Sequence, residues 1–197
     1  ATGTELKGWF IACPFTPKTM LRLPVEAVYR KIVACGGLAE KLGARLLGLG
    51  AYTSVVGDGG ITIAERLAMP VTTGDAYTVY IAVAAVREAA RRMGIAMEGA
   101  SAAVVGATGA IGSVCAQVLA REVPDLILIG RRADRLASVA EQCSGHLARV
   151  TTSTDVVAIY RADLILTVTS DTAAVIQPEH LKPGAVVCDV ARPRDVS

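Results

Sequence analysis

The sequence predicts an α/β protein: a doubly wound parallel domain preceded by a smaller α/β domain. Three observations predict it. From residue 101 onward, short apolar runs alternate with segments of helical period, the pattern of parallel strands buried on both faces. The first of these runs, residues 102–105, leads straight into three glycines spaced as GATGAIG, then a helical pattern, then a second apolar run over 126–129. Before residue 100, a separate set of strand and helix patterns stands apart from this alternation.

In chain order, residues 8–13 (GWFIAC) read as a strand ended by Pro14 and Pro17. Residues 25–42 carry Val28, Ile32, Val33, Leu38 and Leu42 close to helical period, with Glu26 and Arg30 spaced as an i,i+4 pair. Gly36 and Gly37 weaken that helix by about 1 kcal/mol each relative to alanine, and mark either a break or a close packing contact. Gly43 is a plausible C-cap, and residues 45–49 form a second strand. Residues 52–60, ending in SVVGDGG, are rich in turn formers and could border a pocket. Asp75 then stands where it can cap a long helix over 76–93, whose buried stripe is Val79, Val83, Val86 and Ala90.

The stretch from Ser101 to Arg132 carries the chemistry. Strand, glycine turn, helix and strand within some thirty residues make the βαβ unit of a dinucleotide-binding (Rossmann) domain. One glycine allows the tight turn after the strand, a second lets the backbone approach a pyrophosphate, and a third lets the helix pack closely on the sheet. The helix N-terminus then offers unpaired N–H groups and the positive end of its dipole to the phosphates. The spacing here is GxxGxxG rather than GxGxxG, so the flanking strand and helix carry the reading rather than the motif alone. Gly106, Ala107, Thr108, Gly109, Ala110, Ile111 and Gly112 are the candidates for the pyrophosphate turn.

The second strand ends in Gly130-Arg131-Arg132, where NAD-binding domains place an acid for the ribose 2′-hydroxyl. A carboxylate would repel a 2′-phosphate, whereas a guanidinium pairs with it through two parallel hydrogen bonds. Arg131 and Arg132 therefore point to NADP(H) as the cofactor. The plain alternative is that they only begin a solvated helix continued by Arg135 and Glu141.

Residues 136–143 read as a helix, 148–150 as a short strand, 155–160 as a short helix and 163–168 as a buried strand. That last strand ends in Thr167, Val168, Thr169 and Ser170, which the rule that ligands lie beyond strand carboxyl ends places near the nicotinamide. A brief turn at 178–181 precedes a final strand over 185–190. The chain thus divides into an α/β substrate domain over 1–75, a connecting helix over 76–99 and an NADP-binding domain over 100–197. Thr73, Gly74 and Asp75 fall where the first domain meets the second, a favoured position for a substrate cleft, although an ordinary capping turn explains them equally well. No closing helix follows the last strand, so part of the active site is expected to lie outside these residues.

Composition narrows the classes further. A chain of 197 residues has ample material for a core. It is 52% apolar, but no uninterrupted run reaches the roughly eighteen residues of a membrane span, so no stable membrane insertion is expected. The net charge is +2 with dispersed basic residues, which argues against a nucleic-acid partner. Residues 1–7 are short and polar and carry no leader pattern. Cys13, Cys35, Cys115, Cys143 and Cys188 form no CxxC and no metal spacing, and His146 and His180 stand alone, which leads us to expect reduced thiols, a cytoplasmic setting and no metal. Cys13, in its expected strand beside Pro14, reads as a buried structural thiol.

Three stretches together resemble the long-chain acyl-[acyl-carrier-protein] reductases of cyanobacteria: residues 8–21 (GWFIACPFTPKTML), 71–90 (VTTGDAYTVYIAVAAVREAA) and 102–132. The glycine motif also resembles the nucleotide domains of shikimate dehydrogenases and glutamyl-tRNA reductases. The acyl reductase resemblance implies that an enzyme cysteine attacks an acyl thioester, and that NADPH then delivers hydride to release an aldehyde. In that family the cysteine lies in a glycine-rich stretch after the nucleotide domain, so no residue here takes the catalytic role, which is left unknown. Asp75 stands where those reductases commonly have asparagine, which changes charge and hydrogen bonding beside the substrate. Two other readings stay open. One is a shikimate-type ketone/alcohol dehydrogenase, which usually needs a Lys–Asp pair; Lys18 and Lys31 are available but lie in no recognisable motif. The other is a non-catalytic NADP-binding module. The expected partner is a small-molecule or acyl-carrier substrate, and homo-oligomers are compatible with all three readings.

Overall fold

The computed structural model describes residues 3, 5–169, 174–191 and 193–197. The chain forms two compact units, Ala1–Gly74 and Asp75–Ser197. No helix among the described residues is long and apolar enough to cross a membrane.

The first unit holds helices α1 (Pro17–Arg22), α2 (Val25–Lys41) and α3 (Ile61–Arg66), with two very short strands, β1 (Leu47–Gly48) and β2 (Val71–Thr72), paired in parallel. Met20, Val28, Tyr29, Ile32, Leu49, Val56 and Ile63 form its core. Helix α2 runs through Gly36 and Gly37 without a break, and the reason is close packing. A Cβ on Gly36 would lie 2.5 Å from Leu67 Cδ1.

Several expectations for this unit need correction. Residues 8–13 form no strand; no strand pairs with them, and Phe10 is 99% exposed. Cys13 is accordingly half-buried in irregular chain rather than enclosed in a sheet. The strand expected over 45–49 contracts to two residues. Glu26 pairs not with Arg30 one turn on but with Arg66 of α3, through two hydrogen bonds of 2.6 and 3.0 Å. Helix α3 follows the turn-rich stretch over 52–60, in residues to which the sequence reading gave no element, and Gly60, at φ +90°, stands immediately before it.

The second unit opens with α4 (Asp75–Arg92), which starts on Asp75 itself. Strands β3 (Ser101–Val105), β4 (Asp125–Ile129), β5 (Arg149–Ser153), β6 (Leu164–Thr167) and β7 (Val186–Asp189) build one fully parallel sheet in the order β5-β4-β3-β6-β7. Helix α5 (Ala110–Leu119) links β3 to β4, and α6 (Ala133–Gln142) links β4 to β5. A 3₁₀ turn over Val156–Arg161, capped by the Asp155 side chain, carries the chain from β5 across to β6. The expected doubly wound α/β fold is therefore present, with its order reversing between β3 and β6.

The two faces of the sheet follow the period-2 alternation of its strands. Ala102, Val104, Leu126, Leu128, Leu164 and Leu166 face a core shared with α4, α5 and α6. Ala103, Val105, Ile127, Ile129 and Ile165 face a smaller core with Ile159, Ala162 and Ile176. Val79, Val83, Val86 and Ala90 bury the stripe of α4 as expected, and this helix, read as a connector, contributes to the second unit's own core.

Candidate nucleotide-binding site

The site is built where β3 gives way to α5. Gly106 takes φ +83°, a conformation L side chains avoid, so the chain can turn as soon as the strand ends. The N–H groups of Gly106 and Ala107 donate to Ile129 O at 2.9 and 3.0 Å, and Gly109 N donates to Gly106 O at 3.0 Å. These bonds tie the turn to the end of β4. Gly112 has a different task. A Cβ there would drive into the carbonyl oxygen of Gly106 and come within 3.0 Å of Val168 Cγ2, so only a hydrogen fits where α5 crosses the turn. Gly109 is the N-cap of α5 and brings no capping side chain. The first N–H groups of the helix, which have no acceptor within it, are thus available to an anion.

The same packing brings the end of β6 against this turn. A Cβ on Gly106 would meet the Val168 carbonyl carbon and oxygen at 3.0 Å and Thr169 N at 3.1 Å. The glycines and residues 168–169 therefore form one continuous edge at the carboxyl ends of β3 and β6, the switch point where doubly wound sheets bind ligands.

On the β4 side, Thr108, Arg131, Arg132 and Arg135 line a cleft of about 310 Å³. Gly130 keeps its rim narrow, since a Cβ there would touch Thr108 Cγ2 and Leu136 Cδ2 at 3.3 Å. All three arginines are exposed, and none forms an ion pair among the described residues. Three guanidinium groups at one mouth, beside the end of β4, can pair with an anion.

Not every sequence candidate lies on this surface. Ala107 is fully buried, and so is Thr167, which turns its hydroxyl to Asp195. Ile111 packs partly into the core. Ser170 lies outside the described residues. Thr73 and Gly74 close the first unit, with Gly74 at φ +78°, and Asp75 opens α4. The sequence reading missed Arg135 and Asp195 as members of this region. Arg135 had a signal, its place in the first turn of α6 directly after Arg131 and Arg132. Asp195 had almost none, because only the returning chain brings it to β6.

Four of the cysteines are held toward the neutral thiol. Burial and the neighbouring Cys188 push the Cys115 thiol up to about 11. Burial raises Cys143, and burial together with the Asp189 charge raises Cys188. Burial and a thiol hydrogen bond with Cys35 raise Cys13, against the opposing charge of Lys31. Among the described residues no group of His, Cys, Asp and Glu could hold a metal ion.

Comparison with known proteins bears on the family and the fold. Residues 87–197 match the family described as shikimate / quinate 5-dehydrogenase. The chain is similar, at 32% identity over its full length, to a long-chain acyl-[acyl-carrier-protein] reductase of Synechococcus elongatus, of which it covers 59%. It is also 30% identical over its full length to the aminotransferase PigE of a Serratia strain, of which it covers 23%. The chain thus spans less than two thirds of the first relative's length and about a quarter of the second's. Among solved structures, a dipicolinate synthase polypeptide of Bacillus halodurans shares the fold, with a TM-score of 0.50 and 15% identity over 89% of this chain and 57% of that one.

Proposed function

The chain belongs to the shikimate / quinate 5-dehydrogenase family, a family of oxidoreductases, and from this premise we propose that its second unit holds NADP(H) in the reduction of an acyl thioester to an aldehyde. The observation that carries the cofactor choice is the cleft of Thr108, Arg131, Arg132 and Arg135 beside the glycine turn. Three cations there favour a 2′-phosphate, and the bare first turn of α5 favours a pyrophosphate. Bound NADPH would supply hydride. The chain's own residues orient it: Gly106 and Gly112 let the backbone approach, the arginines hold the adenosine end, and Val168 and Thr169 border the nicotinamide end.

Similarity to the cyanobacterial reductase along the whole chain supports the thioester as substrate. The cysteine nucleophile of that reaction is assigned to none of the thiols here, because the resemblance puts it in a stretch after the nucleotide domain; burial also holds Cys13, Cys115, Cys143 and Cys188 toward the neutral form. Thr73, Gly74 and Asp75 are proposed to touch the substrate. A second reading, a ketone/alcohol dehydrogenase, draws support from the description of the matched family; Lys18 and Lys31, the bases available to it, are exposed and form no ion pair with an aspartate among the described residues.

Titration of the chain with NADPH and NADH, before and after replacing Arg131, Arg132 and Arg135 with alanine, tests the cofactor. NADPH affinity is expected to fall about 100-fold while NADH changes by no more than about two-fold. Equal losses for the two nucleotides would remove the 2′-phosphate assignment.

A further inference from the structure

Beyond β7 the chain turns back over the carboxyl ends of the sheet. Asp189, the last residue of β7, gathers this return: Ala191 N donates to its Oδ1 at 3.0 Å, and Asp195 N and Val196 N donate to its Oδ2 at 3.0 and 3.3 Å. Asp195 is fixed from the other side as well, its carbonyl accepting the N–H groups of Val175 and Ile176 at 2.8 and 2.9 Å. The Asp195 side chain is thereby delivered to the end of β6. It is fully buried, and with Thr167 it makes up the buried polar side chains among the described residues. It accepts the hydroxyls of Thr167 and Thr169 and, at 3.0 Å, the backbone N–H of Thr169.

We propose that Asp195 is a positioning residue for the nicotinamide half of the cofactor, fixing Thr169 and the end of β6 against the glycine turn. This rests on the NADP(H) reading above. A carboxylate placed in an apolar interior costs free energy that three neutral donors largely offset, and an apolar side chain would fill the space at lower cost. What the carboxylate adds is direction. It holds both the backbone and the hydroxyl of Thr169 in one arrangement, on the residue whose N–H closes to 3.1 Å on the Cβ position of Gly106. Val168, between the two threonines, is pressed onto Gly106 and Gly112. Asp189, Asp195 and Thr169 form a continuous relay of hydrogen bonds from the end of β7 to the switch point, and a nicotinamide crossing from β3 to β6 would lie on its last member.

The test uses the whole chain with two ligands, NADPH and 2′-phospho-ADP-ribose, which shares the adenosine and pyrophosphate but lacks nicotinamide. Asp195→Asn and Thr169→Val are each expected to weaken NADPH about ten-fold and to return its bound fluorescence toward that of free cofactor. Affinity for 2′-phospho-ADP-ribose should stay within about two-fold of the unmodified chain. Thr169→Val keeps the side-chain shape and carries the test if Asp195→Asn does not fold. Parallel losses for both ligands, no loss for either, or an unmodified chain whose bound NADPH emits like the free cofactor would each overturn the positioning role. An unmodified chain that binds neither ligand overturns the cofactor reading itself, and the positioning role with it.

Discussion

The two ends of β6 each meet a carboxylate, and the two are held by different means. At the amino end Asp163 is partly exposed; Lys182 pairs with it at 2.6 Å, and Ser101 donates to it through N–H and hydroxyl, both at 2.9 Å. At the carboxyl end Asp195 is fully buried, and among the described residues its side chain meets the neutral donors of Thr167 and Thr169. An exposed ion pair tolerates small movements of either partner and is screened by solvent. A buried carboxylate held by donors at fixed angles tolerates very little. The amino end therefore closes the sheet, while the carboxyl end keeps a surface in register, as expected if ligand lies only there.

The most drastic way to break this contrast is Gly112→Val. Its side chain would enter the space of the Gly106 carbonyl and Val168 Cγ2, and neither can retreat without moving β3 or β6. Stability should fall by about 2–3 kcal/mol, seen in a urea midpoint, with NADPH binding lost. Retained NADPH binding at full strength would contradict the close packing of α5 on the turn.

Lys182→Met acts at the other end and should be far milder, at most about 1 kcal/mol, with cofactor affinity unchanged. It also has a pH signature. Burial works against the charge of Asp163, but the hydrogen bonds from Lys182 and Ser101 and the Lys182 charge outweigh it and hold the carboxyl below its usual range. A carboxylate lowered in the folded chain adds stability that is complete above its unfolded value, near 3.9, and disappears as pH falls through the folded one. The unmodified chain should thus lose stability more steeply below about pH 4 than Lys182→Met does. Parallel acid profiles would show that the pair makes no such contribution.

The smallest effect belongs to Glu88, on the exposed face of α4 and away from both ends. Hydrogen bonds from Arg91 and then Arg92 bring its carboxyl down to about 2. Because the group is fully solvated, Glu88→Gln should leave the unfolding midpoint unchanged, while the Glu88 signal in an NMR titration should move only near pH 2. A clear shift in the midpoint would mean that surface pairs weigh more in this protein than the contrast at β6 assumes.

The sheet and the glycine turn were legible because local pattern and tertiary role coincide there. Strands β3, β4 and β6 are buried on both faces, so their apolar runs are nearly continuous, and Gly106 and Gly112 sit where only glycine fits. The first unit was less legible because its apolar residues serve irregular chain. Phe10 and Trp9 look like a strand in sequence yet have no strand to pair with. Glu26 shows a similar limit: local spacing favoured Arg30, but Arg66, forty residues away, holds it through a two-bond fork. Asp195 was illegible for the same physical reason. Its partners are 26 and 28 residues distant, and no periodicity encodes a contact made by a chain folding back on itself.

The outer strand β5 has a consequence for the protein's life in a crowded solution. It forms one border of the sheet, and its five residues, Arg149 to Ser153, are polar apart from Val150. Arg149 projects a charge from that border and is anchored there by Asp125 at 2.8 Å. A flat apolar border would invite another molecule's strand to add to it, the first step toward aggregation. A charged and hydroxyl-bearing one makes such an addition strip water from an arginine, so this border resists uncontrolled stacking.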